Sequence, residues 1–174
     1  AILETLYSCG LRVSELVNLK LSDLYFDEGF IKVEGKGNKQ RLIPISPRAI
    51  NEIKLYFTDR NQIEVKSGHE DFVFISLRRG KRLSRIMIFH MIKELAQQAS
   101  ITKNISPHTF RHSFATHLLE GGANLRAIQC MLGHESIATT EIYTHIDRNM
   151  LRSEIIEHHP RNIKYRKEKE SLFH

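Results

Sequence analysis

The sequence has little cysteine and no long apolar run. Its two cysteines, Cys9 and Cys130, each lie in an apolar helical pattern, which predicts buried thiols and a reducing compartment. No apolar stretch approaches the roughly 20 residues that a membrane-spanning helix needs, and no signal-peptide pattern opens the chain. These absences favour a cytoplasmic protein with no membrane partner. The chain starts inside a helical pattern and without an initiator Met, so we expect it to be a fragment of a longer protein.

Sequence patterns of two common functional sites are also missing. The glycines around Lys36 do not form the Gly-x-x-x-x-Gly-Lys-Ser/Thr pattern of a phosphate-binding P-loop. A zinc site built from His108, His112 and His117 would lack both a His-Glu-x-x-His core and a nearby cysteine pair. We therefore interpret His112 and His117 as structural or helix-surface histidines, and we predict no metal site.

A basic excess is present instead. Lys and Arg number 26 against 20 Asp and Glu, which gives a net charge of +6 and a pI near 9.4. Such a balance is compatible with binding to nucleic acid, although many basic proteins bind none. The densest basic run contains Arg78, Arg79, Lys81, Arg82 and Arg85. It could face a DNA backbone, or it could be a solvated loop.

Hydrophobic periodicity predicts an α+β domain that is mostly helical and carries a small antiparallel hairpin. Helix caps are expected at Ser46, Ser84 and Asn124, and glycine stops at Gly10 and Gly133. The expected helices cover residues 2–9, 11–17, 47–59, 85–99, 109–120, 125–132 and 151–156, with a further short helix after residue 136. A short third strand is expected over residues 71–75, and residues 21–26 are expected to form a connector.

The hairpin places lysines at its tip. Residues 30–34 alternate with a period of two, residues 35–39 contain the turn, and residues 40–45 form the returning strand. Lys36 and Lys39 then lie at the tip, where an ammonium group could meet a phosphate. The alternative is a solvated turn.

Several side chains in the sequence are suited to handling a phosphate. They are Arg12, Lys36, His108, Arg111, His134 and Tyr143. Arginine binds phosphate oxygens bidentately, and a tyrosine hydroxyl beside positive charge is a plausible nucleophile. Each residue also has a plainer interpretation: Arg12 could pair with Glu15 one turn later, and Tyr143 could be a core tyrosine.

The order and spacing of five motifs resemble the tyrosine recombinase family, and its Xer-type members in particular. Residues 5–16 are similar to the family's segment around the first catalytic arginine, and residues 35–44 to its lysine-bearing hairpin. Residues 108–112 resemble the His-x-x-Arg box, with phenylalanine where leucine is common. Residues 132–134 resemble the box of the second histidine, and residues 139–145 the segment of the nucleophilic tyrosine.

The resemblance implies a role for each candidate. Tyr143 would attack the scissile phosphate, form a 3′-phosphotyrosyl link and release a 5′-hydroxyl. The residues implied to hold the non-bridging oxygens are Arg12, Arg111 and His134. Lys36 would protonate the leaving oxygen, His108 would assist as proton acceptor for the tyrosine, and Glu15 would orient Arg12 or neighbouring helices. The resemblance implies no metal, because the arginines supply the positive charge that a metal would supply. It also implies no nucleotide cofactor, because the covalent intermediate conserves the energy of the phosphodiester.

The resemblance also implies partners. Residues 1–159 would be the catalytic domain without its N-terminal core-binding domain, and residues 160–174 a basic C-terminal tail. The expected partner is double-stranded DNA, contacted through Lys39, Arg41, Arg79, Lys81 and Arg82. A homotetramer on two DNA sites is expected, with tails exchanged between subunits, and a DNA translocase or accessory protein is a further candidate partner. The task would be Xer-like chromosome-dimer resolution or DNA integration; a type IB topoisomerase-like enzyme and a non-catalytic DNA-binding module are the alternatives.

Overall fold

The computed structural model describes residues 1–133 and 148–171, which form a mostly helical fold around a small sheet. The helices are α1 (Ile2–Cys9), α2 (Val13–Asn18), α3 (Pro47–Arg60), α4 (Arg85–Gln98), α5 (Pro107–Glu120), α6 (Leu125–Leu132), α7 (Arg148–His158) and α8 (Pro160–Ser171). The expected helices within the described residues are thus confirmed. The short helix expected after residue 136 lies outside the described residues.

The sheet is antiparallel and contains β1 (Leu24–Tyr25), β2 (Phe30–Glu34) and β3 (Gln40–Pro44) in that order. The hairpin between β2 and β3 is confirmed, with Val33 paired to Arg41. Strand β1 occupies the segment that was expected to be a connector.

The strand predicted over residues 71–75 is wrong. This segment makes only isolated bridges, one between Lys20 and Phe72 and one between Ile75 and Arg82. Its amide groups have unrelated partners: Val73 N donates to Leu19 O at 2.9 Å, and Ile75 N donates to the Tyr56 hydroxyl at 2.9 Å. Because no single neighbouring strand supplies the acceptors, no ladder forms. Val73, Phe74 and Ile75 are buried, but in a loop.

The core has two parts. The first surrounds the sheet and the inner faces of α1 to α4, with Leu6, Leu16, Ile31 and Ile53 buried in it. Local capping fixes where α3 and α4 begin, because Ser46 Oγ accepts from Ala49 N at 3.1 Å and Ser84 Oγ accepts from Met87 N at 3.2 Å. The second part lies among α5, α6 and α7; its members are Phe114, Leu118, Ala123, Ala127, Ile128, Cys130, Met131, Leu132, Leu151 and Ile155.

Gly10 joins the two parts of the core. It follows α1 in the left-handed conformation, with φ +60°, and the ring of Phe114 from α5 occupies the space that a Cβ atom would need. Glycine is required there both for the turn and for the close approach. The junction between α1 and α2 is thereby held against α5.

The predicted tail is a helix. His159 separates α7 from α8, which begins at Pro160 and packs on its own chain rather than extending into solvent. Arg161 Nη2 donates to Glu4 Oε2 at 2.6 Å, and Asn51 Nδ2 donates to the Tyr165 hydroxyl at 2.6 Å. In the described part of the chain, every helix is too short or too polar to cross a membrane.

Candidate active site

Arg12 lies at the junction of α1 and α2 and serves as the N-cap residue of α2. Its backbone N–H donates to Glu15 Oε2 at 2.8 Å, and its Nη1 donates to Glu15 Oε1 at 3.0 Å. The predicted pairing with Glu15 is therefore confirmed. The Arg12 side chain keeps 40% of its surface exposed, which leaves guanidinium N–H groups for an external acceptor.

Glu15 is almost completely buried, with 3% exposure, and it is shared by two arginines. Besides Arg12 it accepts two bonds from Arg41, at 2.7 Å from Nη1 and 3.0 Å from Nη2. Burial alone would raise the pKa of Glu15, but the hydrogen bonds and charges of Arg41 and Arg12 outweigh burial and lower it. Glu15 is thus a fixed anion that orients Arg12, as predicted.

Arg41 corrects one prediction. It was expected to contact DNA, but its guanidinium is buried between Glu15 and the end of α6, where Nε donates to Met131 O at 2.8 Å. Strand periodicity contained the signal, since Arg41 has the same parity as the buried Ile43 and Ile45. The positive charge of Arg41 favoured a surface role, whereas the alternation indicated a buried side chain.

Arg111 is half-buried on α5 and bridges two segments. Its Nη1 donates to Gly10 O at 2.7 Å, and its Nη2 donates to Leu132 O at 2.6 Å. Burial and the nearby charges of Arg12 and Arg41 lower its pKa to about 10, so it stays protonated at neutral pH. A guanidinium has five N–H donors, so donors remain for a bound anion.

The C-terminal end of α6 is clamped by both arginines. A helix leaves its last carbonyl groups without intrahelical partners. Here Gly133 N bonds to Gln129 O and Cys130 O, while Arg41 and Arg111 take the carbonyls of Met131 and Leu132. Positive charge also favours this end of the helix dipole. The segment that leads into His134 is therefore fixed by two buried or half-buried guanidinium groups.

The remaining predicted residues are less constrained or lie outside the described residues. His108 is exposed in the first turn of α5, three residues before Arg111 and so on the same face of the helix. Lys36 is exposed in a short 3-10 turn over Lys36–Asn38, at the tip of the hairpin. His134 and Tyr143 lie outside the described residues.

The structure thus places Arg111 at the α1–α2 junction, bonded to the carbonyl of Gly10 two residues before Arg12, and the charge of Arg12 acts on Arg111. In the described part of the chain, no hydrogen bond or ion pair links Lys36 or His108 to that pair.

The other predicted DNA contacts are on the surface. Lys39, Arg79, Lys81 and Arg82 are all exposed. Arg82 lies over the ring of Phe72, with 5.0 Å between Cζ and the ring centroid, and it is hydrogen-bonded to Asn18 Oδ1. The basic run between α3 and α4 is accordingly an exposed surface, one member of which is held in place.

Comparison with known proteins identifies the family. The family model described as "Phage integrase family" matches residues 1–150. Tyrosine recombinase XerD of Chlorobaculum tepidum is 49% identical over 161 residues, covering 92% of this chain and 53% of that protein. XerD of Pseudomonas aeruginosa is 48% identical over 160 residues, covering 92% and 53%. The chain thus spans about half the length of the curated relatives that it matches.

Solved structures give the same result. The crystal structure of XerA recombinase matches with a TM-score of 0.69 at 39% identity, covering 90% of this chain and 55% of that one. The XerH site-specific recombinase bound to its difH substrate matches with a TM-score of 0.67 at 28% identity, covering 83% and 42%. The chain belongs to the phage integrase family of tyrosine recombinases, and it is similar to the Xer-type members.

Proposed function

We propose that this chain is the catalytic part of a site-specific recombinase that breaks and rejoins DNA through Tyr143. The observation that carries the proposal is the meeting of Arg12 and Arg111 at the α1–α2 junction. Arg12 caps α2 beside the buried Glu15, and Arg111 donates to the carbonyl of Gly10, two residues before Arg12. Two fixed guanidinium groups with spare N–H donors suit a phosphodiester whose negative charge grows in the transition state.

The proposed reaction has two transesterification steps. The Tyr143 oxygen attacks the phosphorus, the bond to the 5′-oxygen breaks, and the leaving oxygen takes a proton from Lys36. The non-bridging oxygens are held by Arg12, Arg111 and His134, and the proton of the tyrosine is accepted by His108. A 5′-hydroxyl then attacks the phosphotyrosine, which regenerates the tyrosine and a DNA strand without any energy source.

The proposed DNA contacts use exposed side chains around this centre. Lys39 lies beside Lys36 on the hairpin, while Arg79, Lys81 and Arg82 belong to the basic run before α4. Lysine and arginine contacts to phosphates provide affinity and register rather than sequence reading. Arg41 is excluded from this set because it is buried.

The proposed assembly is a homotetramer on two DNA sites in the cytoplasm, which exchanges its C-terminal tails between subunits. The proposed task is Xer-like chromosome-dimer resolution or DNA integration. Support comes from the similarity to XerH, a site-specific recombinase whose crystal structure contains its difH substrate, and from the identity to the XerD proteins. The single chain itself has α8 packed against α1 and α3.

The test is covalent trapping with the full-length protein. The probe is a nicked duplex carrying the sequence that the protein protects in footprinting, so that the cleaved strand cannot be rejoined. We expect a protein–DNA adduct from the unaltered protein, none from Tyr143→Phe, and a rate about 100- to 1000-fold lower for Arg111→Ala, since a donor to the transition-state oxygen is lost. DNA affinity of Arg111→Ala should fall much less.

Other outcomes would contradict the proposal in different ways. An adduct that still forms with Tyr143→Phe would show that Tyr143 is not the nucleophile. If the unaltered protein forms no adduct, the chain is a non-catalytic DNA-binding module. Relaxation of supercoiled DNA without exchange between two sites would indicate a topoisomerase.

A further inference from the structure

We propose that Arg41 is a positioning residue that joins three segments of the active site. These segments are the base of the Lys36 hairpin, the start of α2 with Arg12, and the end of α6 before His134. The inference rests on the proposed function, because it assumes that the three segments act on one phosphate.

All three nitrogen atoms of the Arg41 guanidinium are used. Nη1 and Nη2 donate to the two oxygens of Glu15, at 2.7 and 3.0 Å, and Nε donates to Met131 O at 2.8 Å. A planar fork that makes two parallel bonds and a third on its other edge fixes orientation as well as distance. The side chain therefore ties β3 to α2 and to α6 in one rigid arrangement.

Two glycines show how closely the guanidinium fits between these segments. A Cβ atom at Gly133 would lie 3.1 Å from Arg41 Nε, and one at Gly35 would lie 3.4 Å from Arg41 Nη1. Gly35 immediately precedes Lys36, and Gly133 immediately precedes His134. Arg41 thus packs against the backbone on which each of these two predicted catalytic residues depends.

The hairpin needs such an anchor because its tip is exposed. Beyond Arg41 the strands are joined by one further register pair, Glu34 with Gln40, before the turn that carries Lys36. A change in the angle of the hairpin base would therefore be amplified at the Lys36 ammonium. Misplacement of a reacting group by about 1 Å can cost about 100-fold in rate.

A plainer alternative is that Arg41 only stabilises the fold. Buried ion pairs are poor indicators of stability gain, because desolvation offsets the attraction. Arg60 offers a matched control: it is 7% exposed, as Arg41 is, and its Nη2 donates to the carbonyls of Glu70 and Phe72 at 2.7 and 2.9 Å. It is a buried arginine whose hydrogen bonds, within the described residues, go to the loop around residues 70–72 and not to Arg12, Glu15, Lys36 or Arg111.

The experiment compares Arg41→Lys with Arg60→Lys in the full-length protein, using two suicide duplexes. One has the normal 5′-oxygen, and the other has sulfur at that position, which leaves without being protonated. We expect Arg41→Lys to lower cleavage of the oxygen substrate about 10- to 100-fold. The ratio of sulfur to oxygen rates should rise about tenfold, as a misplaced general acid requires.

Arg60→Lys should leave the ratio at its unaltered value, whatever its effect on stability. Both rates come from one protein sample, so any unfolded fraction cancels and the ratio is readable even for a poorly folded variant. An unchanged ratio for Arg41→Lys would overturn the positioning of Lys36. If the unaltered protein cleaves neither duplex, the proposed function itself fails, which is a different result.

Discussion

Two buried carboxylates, Glu15 and Glu4, are each held between two arginines, but they connect different parts of the fold. Glu15 accepts from Arg12 and Arg41, and the Arg41 side chain is 5% exposed. Glu4 accepts from Arg161 at 2.6 Å and lies 3.5 Å from Arg48; these arginines are 33% and 24% exposed. Glu15 thus has one interior arginine, Arg41, and one exposed arginine, Arg12 at 40%, whereas both arginines of Glu4 are partly exposed.

The difference follows from what each unit connects. The Glu15 unit joins α2, β3 and α6, which all belong to the two cores that surround the candidate site. The Glu4 unit joins α1 and α3 to α8, which is the last described helix and consists mostly of polar residues. Charges that are shielded from water interact strongly and depend on complete pairing, whereas exposed pairs are screened. The first unit thus connects segments of the candidate site, and the second connects α8 to α1 and α3.

The sharpest test of this comparison is a pair of matched substitutions. Glu15→Gln should lower the free energy of unfolding by about 3–5 kcal/mol, because it leaves the buried Arg41 without its anion. Glu4→Gln should cost about 1–2 kcal/mol, because Arg161 and Arg48 can turn toward solvent. Urea unfolding of the two variants measures both changes. Equal losses would mean that the two units do not differ in the way that their exposure indicates.

The two units also show how far the sequence could be interpreted. Periodicity, serine caps and glycine stops predicted the helices and the hairpin, because those signals are local. The Arg12–Glu15 pair was predictable for the same reason, since three residues on a helix bring side chains together. The burial of Arg41 was predictable from the strand alternation, but its partners were not, because they are 26 and 90 residues away in sequence.

The tail shows a second limit of the sequence. Residues 160–174 read as a polar segment, with few apolar positions to indicate a packed face. The structure makes a helix of residues 160–171 by supplying partners that the local sequence does not contain, namely Glu4 on α1 and Asn51 on α3. The catalytic roles remain predictions for Lys36, His108, His134 and Tyr143. Each role depends on bound DNA, and His134 and Tyr143 lie outside the described residues.

A pH experiment tests the junction of α7 and α8, next to the Glu4 unit. His159 is fully buried where α7 meets α8, with its ring against Tyr7 and Phe114 at centroid distances of 4.6 and 5.8 Å. Burial lowers its pKa from 6.5 to about 4, although a bond to the Tyr7 backbone and the charge of Glu4 act in the opposite direction. The imidazole is therefore neutral in the folded protein at neutral pH.

The sign of the effect follows from this shift. Below pH 6.5 His159 becomes protonated in the unfolded chain, but in the folded chain it stays neutral down to about pH 4, so the free energy of unfolding falls as the pH falls through that window. The decrease in the free energy of unfolding should approach about 3 kcal/mol. The Glu4 and Glu15 carboxyls, whose pKa values are lowered, stabilise the fold above their unfolded value of 4.5 and lose that contribution only below it.

The measurement is the free energy of unfolding between pH 7 and about pH 5.5, a range in which both carboxylates stay ionised in the folded and the unfolded chain and so add nothing to the slope. His159→Phe keeps an aromatic ring beside Tyr7 and removes the titration, so it should flatten the slope whatever its effect on absolute stability. A slope that survives in His159→Phe would assign the acid sensitivity to other histidines and not to the junction of α7 and α8.

The smallest expected effect concerns the docking pair alone. Arg161→Gln removes both bonds to Glu4 Oε2, at 3.0 and 2.6 Å, while Arg48 stays nearby to neutralise the carboxylate. Because the Arg161 side chain is one-third exposed, the loss should be at most about 1 kcal/mol. That corresponds to roughly fivefold more undocked α8. Trypsin should therefore cleave within residues 164–169 about fivefold faster, while the rates of cleavage within residues 1–133 stay unchanged. The difference from the unaltered protein should shrink in 0.5 M salt, where screening has already weakened the pair. Faster cleavage inside the β2–β3 hairpin as well would show that the two carboxylate units are coupled, and that docking of α8 reaches the candidate site.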